Sequence, residues 1–495
     1  MYRLLAKKSG VITALCCFFV GFSLLTLNNH QAAAQTIELN LPTLGNTGAN
    51  LYSEEQKRQL GQAWLMSFRA QVRTVNDPII FNYLENLIYL LAQHSQLSDR
   101  HLELVVVSNK SLNAFAVPGG IVGVHIGIFL TAKNEAQLAS ILSHELAHLS
   151  QEHFERGREA QQRASIPTMA GMLAGLVLAA TAGGDAGIAA ITATQAAGLQ
   201  NSLRFSRQNE QEADRIGMET MYESGFDPRQ SSAMFQQMQR GSRYSGSHAP
   251  EFLLTHPLTE SRIADAKLRS ERYPKGGLIN EIDYSVVQAR VRIYFEESPQ
   301  SAIKFFKANS KNTEGFEKEA SQYGLAIAQS DAGLFDQASE TLQPLIEKRP
   351  NYIPYQLVRT NILAARGQTL EAKKELENLL AISPNNYPLM QAYALLLQRM
   401  DELSASRDVW KALSELHPRQ PSIWFELAEI EGLNGNIMAV HLARAEYFLL
   451  SGNPDAATRH LRYALKLAEG NYLQTEIIEQ RLRDIQSWKQ QLNLT

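Results

Sequence analysis

The sequence predicts a mainly α protein: a helical catalytic domain with a small β-sheet, followed by an α-solenoid of paired helices. Three observations predict it. His144-Glu145-Leu146-Ala147-His148 lies in a helix-patterned stretch from Asn134 to about Gln151. Short extended pieces surround Pro118-Gly119-Gly120. Pro350, Pro384 and Pro418 recur at a spacing of 34 residues.

Residues 1–34 read as a signal peptide. Arg3, Lys7 and Lys8 form a basic start, Val11 to Leu27 an apolar core, and Ala32-Ala33-Ala34 a small-residue cleavage site. A retained membrane anchor is disfavoured by the polar Asn28-Asn29-His30-Gln31 run before the alanines. Leu15 and Cys16 stand where a lipobox needs small residues, so lipidation at Cys17 is not expected. Both cysteines fall in this leader, and the exported chain would carry no disulfide. Losing three basic residues turns the net charge from 47 − 50 = −3 into 44 − 50 = −6. A mildly acidic chain without a basic run excludes nucleic acid as an expected partner. Residues 35–50, polar and rich in Gly and Asn, read as an extended lead-in.

The catalytic domain is expected over 51–270. Helical patterning runs from Ser53 to about Ser95, and Leu102 to Val107 is a β-branched strand. Asn113, Ala114, Phe115 and Ala116, just before the Pro-Gly-Gly turn, are candidates for an edge strand along which a peptide substrate can lie. On the helix that follows, His144 and His148 are i and i+4, so both imidazoles leave one face and can share one Zn²⁺. Glu145 sits one residue round from the first, where it can take a proton from water that zinc holds at a pKa of about 7. This helix makes the domain zincin-type. A third ligand is needed, and Glu210 and Asp214, again i and i+4, share a helix face that Glu212 does not. Glu210 completes a His₂Glu site holding one zinc per chain, and Asp214 can orient a ligand imidazole. Between the two halves of the site, residues 165–203 carry one charge, Asp185, amid Ala, Gly, Leu and Thr. Packed small-residue helices or a lid are the expectation, with peripheral membrane contact as the alternative.

Tyr273-Pro274-Lys275-Gly276-Gly277 marks a linker over 271–283. Beyond it, over 284–495, Gly333 and Gly367 are 34 residues apart, as are Ala338 and Ala372, in phase with the prolines. That is the tetratricopeptide signature. Trp410 takes the apolar place of Leu342 and Leu376. After Pro418 the phase is expected to slip at Gly452 and Ala457. Four or five helix pairs follow, with a concave face for partners.

The H-E-x-x-H and Glu210-Gln211-Glu212-Ala213-Asp214 pair, Asn113 to Gly120, and Thr255-His256-Pro257 ahead of Arg262-Ile263 resemble the zinc peptidases related to the CAAX prenyl protease and the heat-shock membrane protease. The resemblance covers about 51 to 270. It implies that His144, His148 and Glu210 bind zinc and that Glu145 is the base. It places His256 on a mobile loop as a fourth, restraining ligand, behind the flexible-looking Gly241 to Ser247 stretch. It also implies that Arg262 bridges to Glu210 or Asp214. With leader and repeats, the chain resembles members of that family in Gram-negative envelopes. This implies a periplasmic endopeptidase, partly chaperone-like, that acts on unfolded or stalled outer-membrane proteins and docks on the barrel-assembly machinery through its repeats. Some members carry cysteines after the leader; this chain has none, which leaves no disulfide-linked control step to expect. A largely latent scaffold is the competing reading, and intact Glu145 favours the enzyme.

Overall fold

The computed structural model describes residues 53–159, 206–244 and 251–491. The leader, the 35–50 lead-in and the 165–203 segment lie outside them. Among the described residues, no helix is long and apolar enough to cross a membrane.

Helix α1 (Glu54–Arg69) starts on a Ser53–Gln56 capping box. Helix α2 (Pro78–Gln93) starts on Asp77, whose carboxylate accepts from the Ile79 and Ile80 amides, with Pro78 where no N–H is needed. Strands β1 (Glu103–Val107), β2 (Ala114–Val117) and β3 (Ile121–His125) form one sheet in the order β1-β3-β2. β3 runs parallel to β1 and antiparallel to β2. The reversal between β2 and β3 needs Gly119 and Gly120, at φ 86° and 80°. A Cβ at either would also strike a carbonyl oxygen, of Lys57 or of His101.

This order leaves β2 on an edge. The His125 amide donates to the Asn113 carbonyl at 3.0 Å. Antiparallel pairing alternates, so Phe115 and Val117 bond to β3, and Ala114, fully buried, and Ala116, half-buried, turn their backbone groups away from it. Asn113 itself precedes the strand, and its side chain reaches Glu251 at 3.4 Å. Phe115 covers Gly123 and stacks edge-on with Trp64 and Phe68 of α1.

A single turn, α3 (Ile128–Thr131), leads into α4 (Glu135–Ser150), capped by Asn134. α4 is buried at every position from Glu135 to Ala147, which makes it the central helix of this half. Around it lie α5 (153–159), α6 (206–223), α7 (Arg229–Tyr244), α8 (Glu251–Thr255) and α9 (Glu260–Ser270). Gly241 to Tyr244, expected in a flexible loop, belong instead to α7, whose buried Met234, Phe235 and Met238 hold the helix on the core. Residues 245–250 lie outside the described residues.

The segment after α9 is no free tether. Leu278 bridges to Phe226, the Ala136 amide donates to the Ile279 carbonyl, and the Glu281 amide donates to Glu135. Paired helices follow: α10 (Ile282–Phe295) with α11 (Pro299–Asn312), α12 (Gly315–Asp331) with α13 (Phe335–Lys348), and α14 (Ile353–Ala365) with α15 (Thr369–Ile382). Then come α16 (Tyr387–Arg399) with α17 (Leu403–Leu416), α18 (Pro421–Leu433) with α19 (Ile437–Leu450), and α20 (Pro454–Leu467) with α21 (Tyr472–Gln491). Six pairs are therefore described, more than the four or five expected. The expected slip does occur. Left-handed turn residues stand at Gly333, Gly367, Asp401 and Gly435, each 34 after the last, and Gly452 follows only 17 later, with buried Ala457 five after it as Ala338 and Ala372 follow Gly333 and Gly367. Asp401 replaces the expected glycine and keeps the left-handed geometry.

The solenoid also uses part of its surface on the chain's own catalytic half. One hydrophobic cluster runs from Leu84 and Ile88 of α2 through Tyr284 and Val287 of α10 to Leu389 and Met390 of α16. Arg290 pairs with Asp77 at 2.6 Å and Arg419 with Glu103 at 2.7 Å. Farther along, a Cβ at Gly452 would overlap the Met66 carbonyl of α1.

Candidate active site

Two helices present the site. α4 carries His144, Glu145 and His148, and α6 carries Glu210, Glu212 and Asp214. Their backbones approach closely because of Gly217, where a Cβ would lie 2.9 Å from the His144 nitrogen. Ala147 and Ala213, both buried, keep the rest of this contact thin. Small residues at one helix crossing therefore set Glu210 opposite the two histidines.

The Nε2 atoms of His144 and His148 are 3.0 Å apart. Glu210 lies 3.5 Å from His144 Nε2 and 3.4 Å from His148 Nε2. His256, just past α8, brings Nδ1 to 3.1 Å from Glu210 and 3.3 Å from His144 Nε2. The four candidate ligand atoms lie within 4.8 Å of one another. A tetrahedron with zinc–nitrogen bonds of about 2.0 Å has edges of about 3.3 Å, close to the distances of 3.0 to 3.5 Å given above. Two imidazoles, a carboxylate and a third imidazole are also the donors that suit a borderline-soft divalent cation. The residues present thus fit a metal.

Glu145 is buried, with its Oε1 lacking any hydrogen-bond partner and His256 Nε2 at 3.4 Å. Burial raises its pKa, and nearby His256 and His144 oppose the rise. A carboxylate with one unpartnered oxygen and a raised proton affinity is suited to accept a proton.

Ion pairs anchor the cluster from behind. Arg262, 4% exposed, grips Asp214 through Nε and Nη2, both at 2.7 Å, and reaches Glu210 through Nη1 at 2.8 Å. It therefore bridges both carboxylates, where the resemblance left the choice open. Asp214 Oδ1 lies 3.0 Å from His144 Nδ1. Burial works against ionisation of Asp214, yet Arg262 and His144 hold its pKa below the ordinary range. Burial likewise opposes ionised Glu210, and the rings of His144, His148 and His256 outweigh it. Burial is overcome at His144 by Asp214 and Glu210, which push its pKa up to about 10, and burial prevails at His148, down to about 3.

Ala114 and Ala116 lie on the strand edge beside α4 that no other strand pairs, with Ala114 buried and the Ala116 backbone amide helping to hold the Glu145 charge. Residues missed in the sequence are His153, Arg156 and Gly217, and Glu212 proves engaged as well. His153 Nδ1 lies 2.8 Å from His148 Nδ1. Only an H-E-x-x-H-x-x-x-x-H spacing hinted at it.

The family model for peptidase family M48 matches residues 78–270, a span that contains every residue of this cluster. The β-barrel assembly-enhancing protease of Escherichia coli K12 is 32% identical over 460 residues, 92% of this chain and 92% of its own length. The putative β-barrel assembly-enhancing protease of Vibrio cholerae is 32% identical over 439 residues, 88% of this chain and 90% of its own. Among solved structures, a thermophilic tetratricopeptide-repeat protein of Thermus thermophilus is 18% identical and is similar over 41% of this chain and 98% of its own, with a TM-score of 0.28. The helix pairing above, not that likeness, carries the repeat architecture.

Proposed function

The chain belongs to peptidase family M48, among the β-barrel assembly-enhancing proteases, and from that premise we propose a zinc endopeptidase of the periplasm that clears unfolded or stalled outer-membrane proteins. The observation that carries this reading is the juxtaposition of four converging ligand atoms, a Glu145 oxygen without a hydrogen-bond partner and the edge strand β2. His144, His148 and Glu210 would hold the ion, with His256 beside them as the restraining ligand. When bound, zinc supplies a Lewis acid and water of lowered pKa. Glu145 receives the proton and passes it to the leaving amine. Ala114 and Ala116 bond an extended peptide as an added strand, which presents its carbonyl at the site. Arg262 and Asp214 keep Glu210 and His144 aimed.

His256 restrains the enzyme as long as it stays in place. Residues 51–270 act as the peptidase, and residues 284–495 recruit substrate or the barrel-assembly machinery. The leader ends near Ala34. A largely latent scaffold remains the second reading, and His256 closing over the cluster is the observation that favours it. The test is cleavage of an unfolded outer-membrane barrel protein by wild type and Glu145→Gln, each loaded with zinc. Wild type cleaves; Glu145→Gln keeps its zinc and loses turnover by several orders of magnitude. Equal cleavage by both would remove the mechanism, and cleavage by neither, even after His256→Ala, would leave the scaffold.

A further inference from the structure

We infer that His153 and Glu212 form a proton-ordered strut that fixes the ring of His148 for metal binding, the counterpart of what Asp214 does for His144. The inference rests on the zinc reading above.

The contact is not a by-product of helix geometry. Five residues along a continuous helix turn a side chain about 140° away from His148. Instead α4 ends at Ser150, and Glu152 takes a left-handed φ of 50°, unusual for a residue with a side chain. Lys57 of α1 pins that residue at 2.6 Å. The reversal returns His153, 6% exposed, to a point 2.8 Å from His148 Nδ1.

The direction of the hydrogen bonds then follows from chemistry. A neutral imidazole that offers Nε2 to a cation carries its proton on Nδ1. His148 Nδ1–H must therefore donate to His153 Nδ1. His153, as an acceptor there, carries its own proton on Nε2, which faces Glu212 Oε2 at 3.1 Å. Glu212 can only accept, and Arg156 donates to the same oxygen at 3.0 Å. Each member has one role, and no member is left without a partner. The two ligand histidines are thus backed in parallel: His144 by Asp214 held by Arg262, His148 by His153 and Glu212 held by Arg156. A hydrogen-bonded outer partner fixes the tautomer and aim of a ligand imidazole, and its loss typically weakens metal binding by about 10–100-fold.

The test is the zinc dissociation constant of the full chain, read by competition with a chromophoric chelator, with the visible spectrum of the Co²⁺-loaded protein as a second readout. His153→Phe keeps the bulk and removes the acceptor; it should bind zinc about 10–100-fold more weakly and shift the cobalt bands. His153→Asn returns an acceptor oxygen near the Nδ1 position and should recover part of that loss. Glu212→Ala, on a half-buried side chain whose removal leaves the fold intact, should weaken zinc in the same direction, and it serves if His153→Phe does not fold. Zinc affinity within about twofold of wild type in His153→Phe or Glu212→Ala, with unchanged cobalt bands, would overturn the strut. A wild type that takes up no zinc would instead overturn the reading beneath it.

Discussion

Replacing Arg262 by Leu removes one of the two cations that join Asp214 and Glu210, His144 being the other. Arg262 makes two charge-assisted hydrogen bonds to Asp214, both at 2.7 Å, and an ion pair to Glu210 at 2.8 Å, in a site where all three side chains are buried. Bonds to charged groups contribute about 1.5–3 kcal/mol each, so simple addition of the two gives roughly 3–6 kcal/mol. Addition overstates the effect, because the stranded carboxylates take up protons or admit water. Breaking a buried pair by deleting one partner costs about 3–5 kcal/mol, and we expect a loss in that range for the metal-free protein. The assay is urea unfolding of chelator-treated wild type and Arg262→Leu, followed by tryptophan fluorescence. The pH dependence has a sign. Asp214 titrates below its ordinary value in the fold, so Arg262's contribution is present above the unfolded value of 3.8 and is lost as pH falls through the lowered one. The gap between wild type and variant should therefore close in acid. A gap below about 1 kcal/mol near neutral pH would put Arg262 in the class of surface ion pairs and refute the reasoning.

Ala114→Pro removes an amide that takes no part in a β2–β3 bond, so it should depress cleavage of a long unfolded substrate and leave zinc content intact; unchanged cleavage would place the substrate in another groove. His256→Ala should raise basal cleavage or self-degradation, since it removes the restraining ligand; a zinc-replete but inactive variant would give His256 a role in stabilising the transition state instead. Glu135, buried between Tyr83 and the start of α10, has its pKa pushed by burial from 4.5 to about 7. Its contribution is fully present below 4.5 and is lost as pH rises through about 7, about 3 kcal/mol in all. Comparing unfolding free energies at acid and alkaline pH should show that slope in wild type and a flatter one in Glu135→Gln; identical slopes would count against it.

Much of this site is legible in the sequence because helical spacing is short-range. His144 with His148 and Glu210 with Asp214 are i, i+4 pairs, and a helix puts each pair on one face whatever surrounds it. The strand and turn around Gly119 and Gly120 are legible for the same local reason. What brings α4 against α6 is not, since Gly217 reads as an ordinary helix-weakening glycine until the backbone of His144 is seen beside it. His153 was hidden because helical continuation would turn it away, and nothing in a lone glutamate announces the left-handed Glu152. In the solenoid, Asp401 broke the residue pattern and kept the backbone one, whereas the slip at Gly452 was legible in the residues. Periodicity specifies that helices stack; it does not say that α10 and α16 close on α2 of the same chain.

The most direct measurement is zinc per chain in wild type, Glu210→Gln and Glu212→Gln, by elemental analysis after dialysis against a weak chelator. The account predicts one zinc in wild type, none in Glu210→Gln, and stoichiometric but weaker-held zinc in Glu212→Gln. Zinc retained by Glu210→Gln and lost by Glu212→Gln would contradict it.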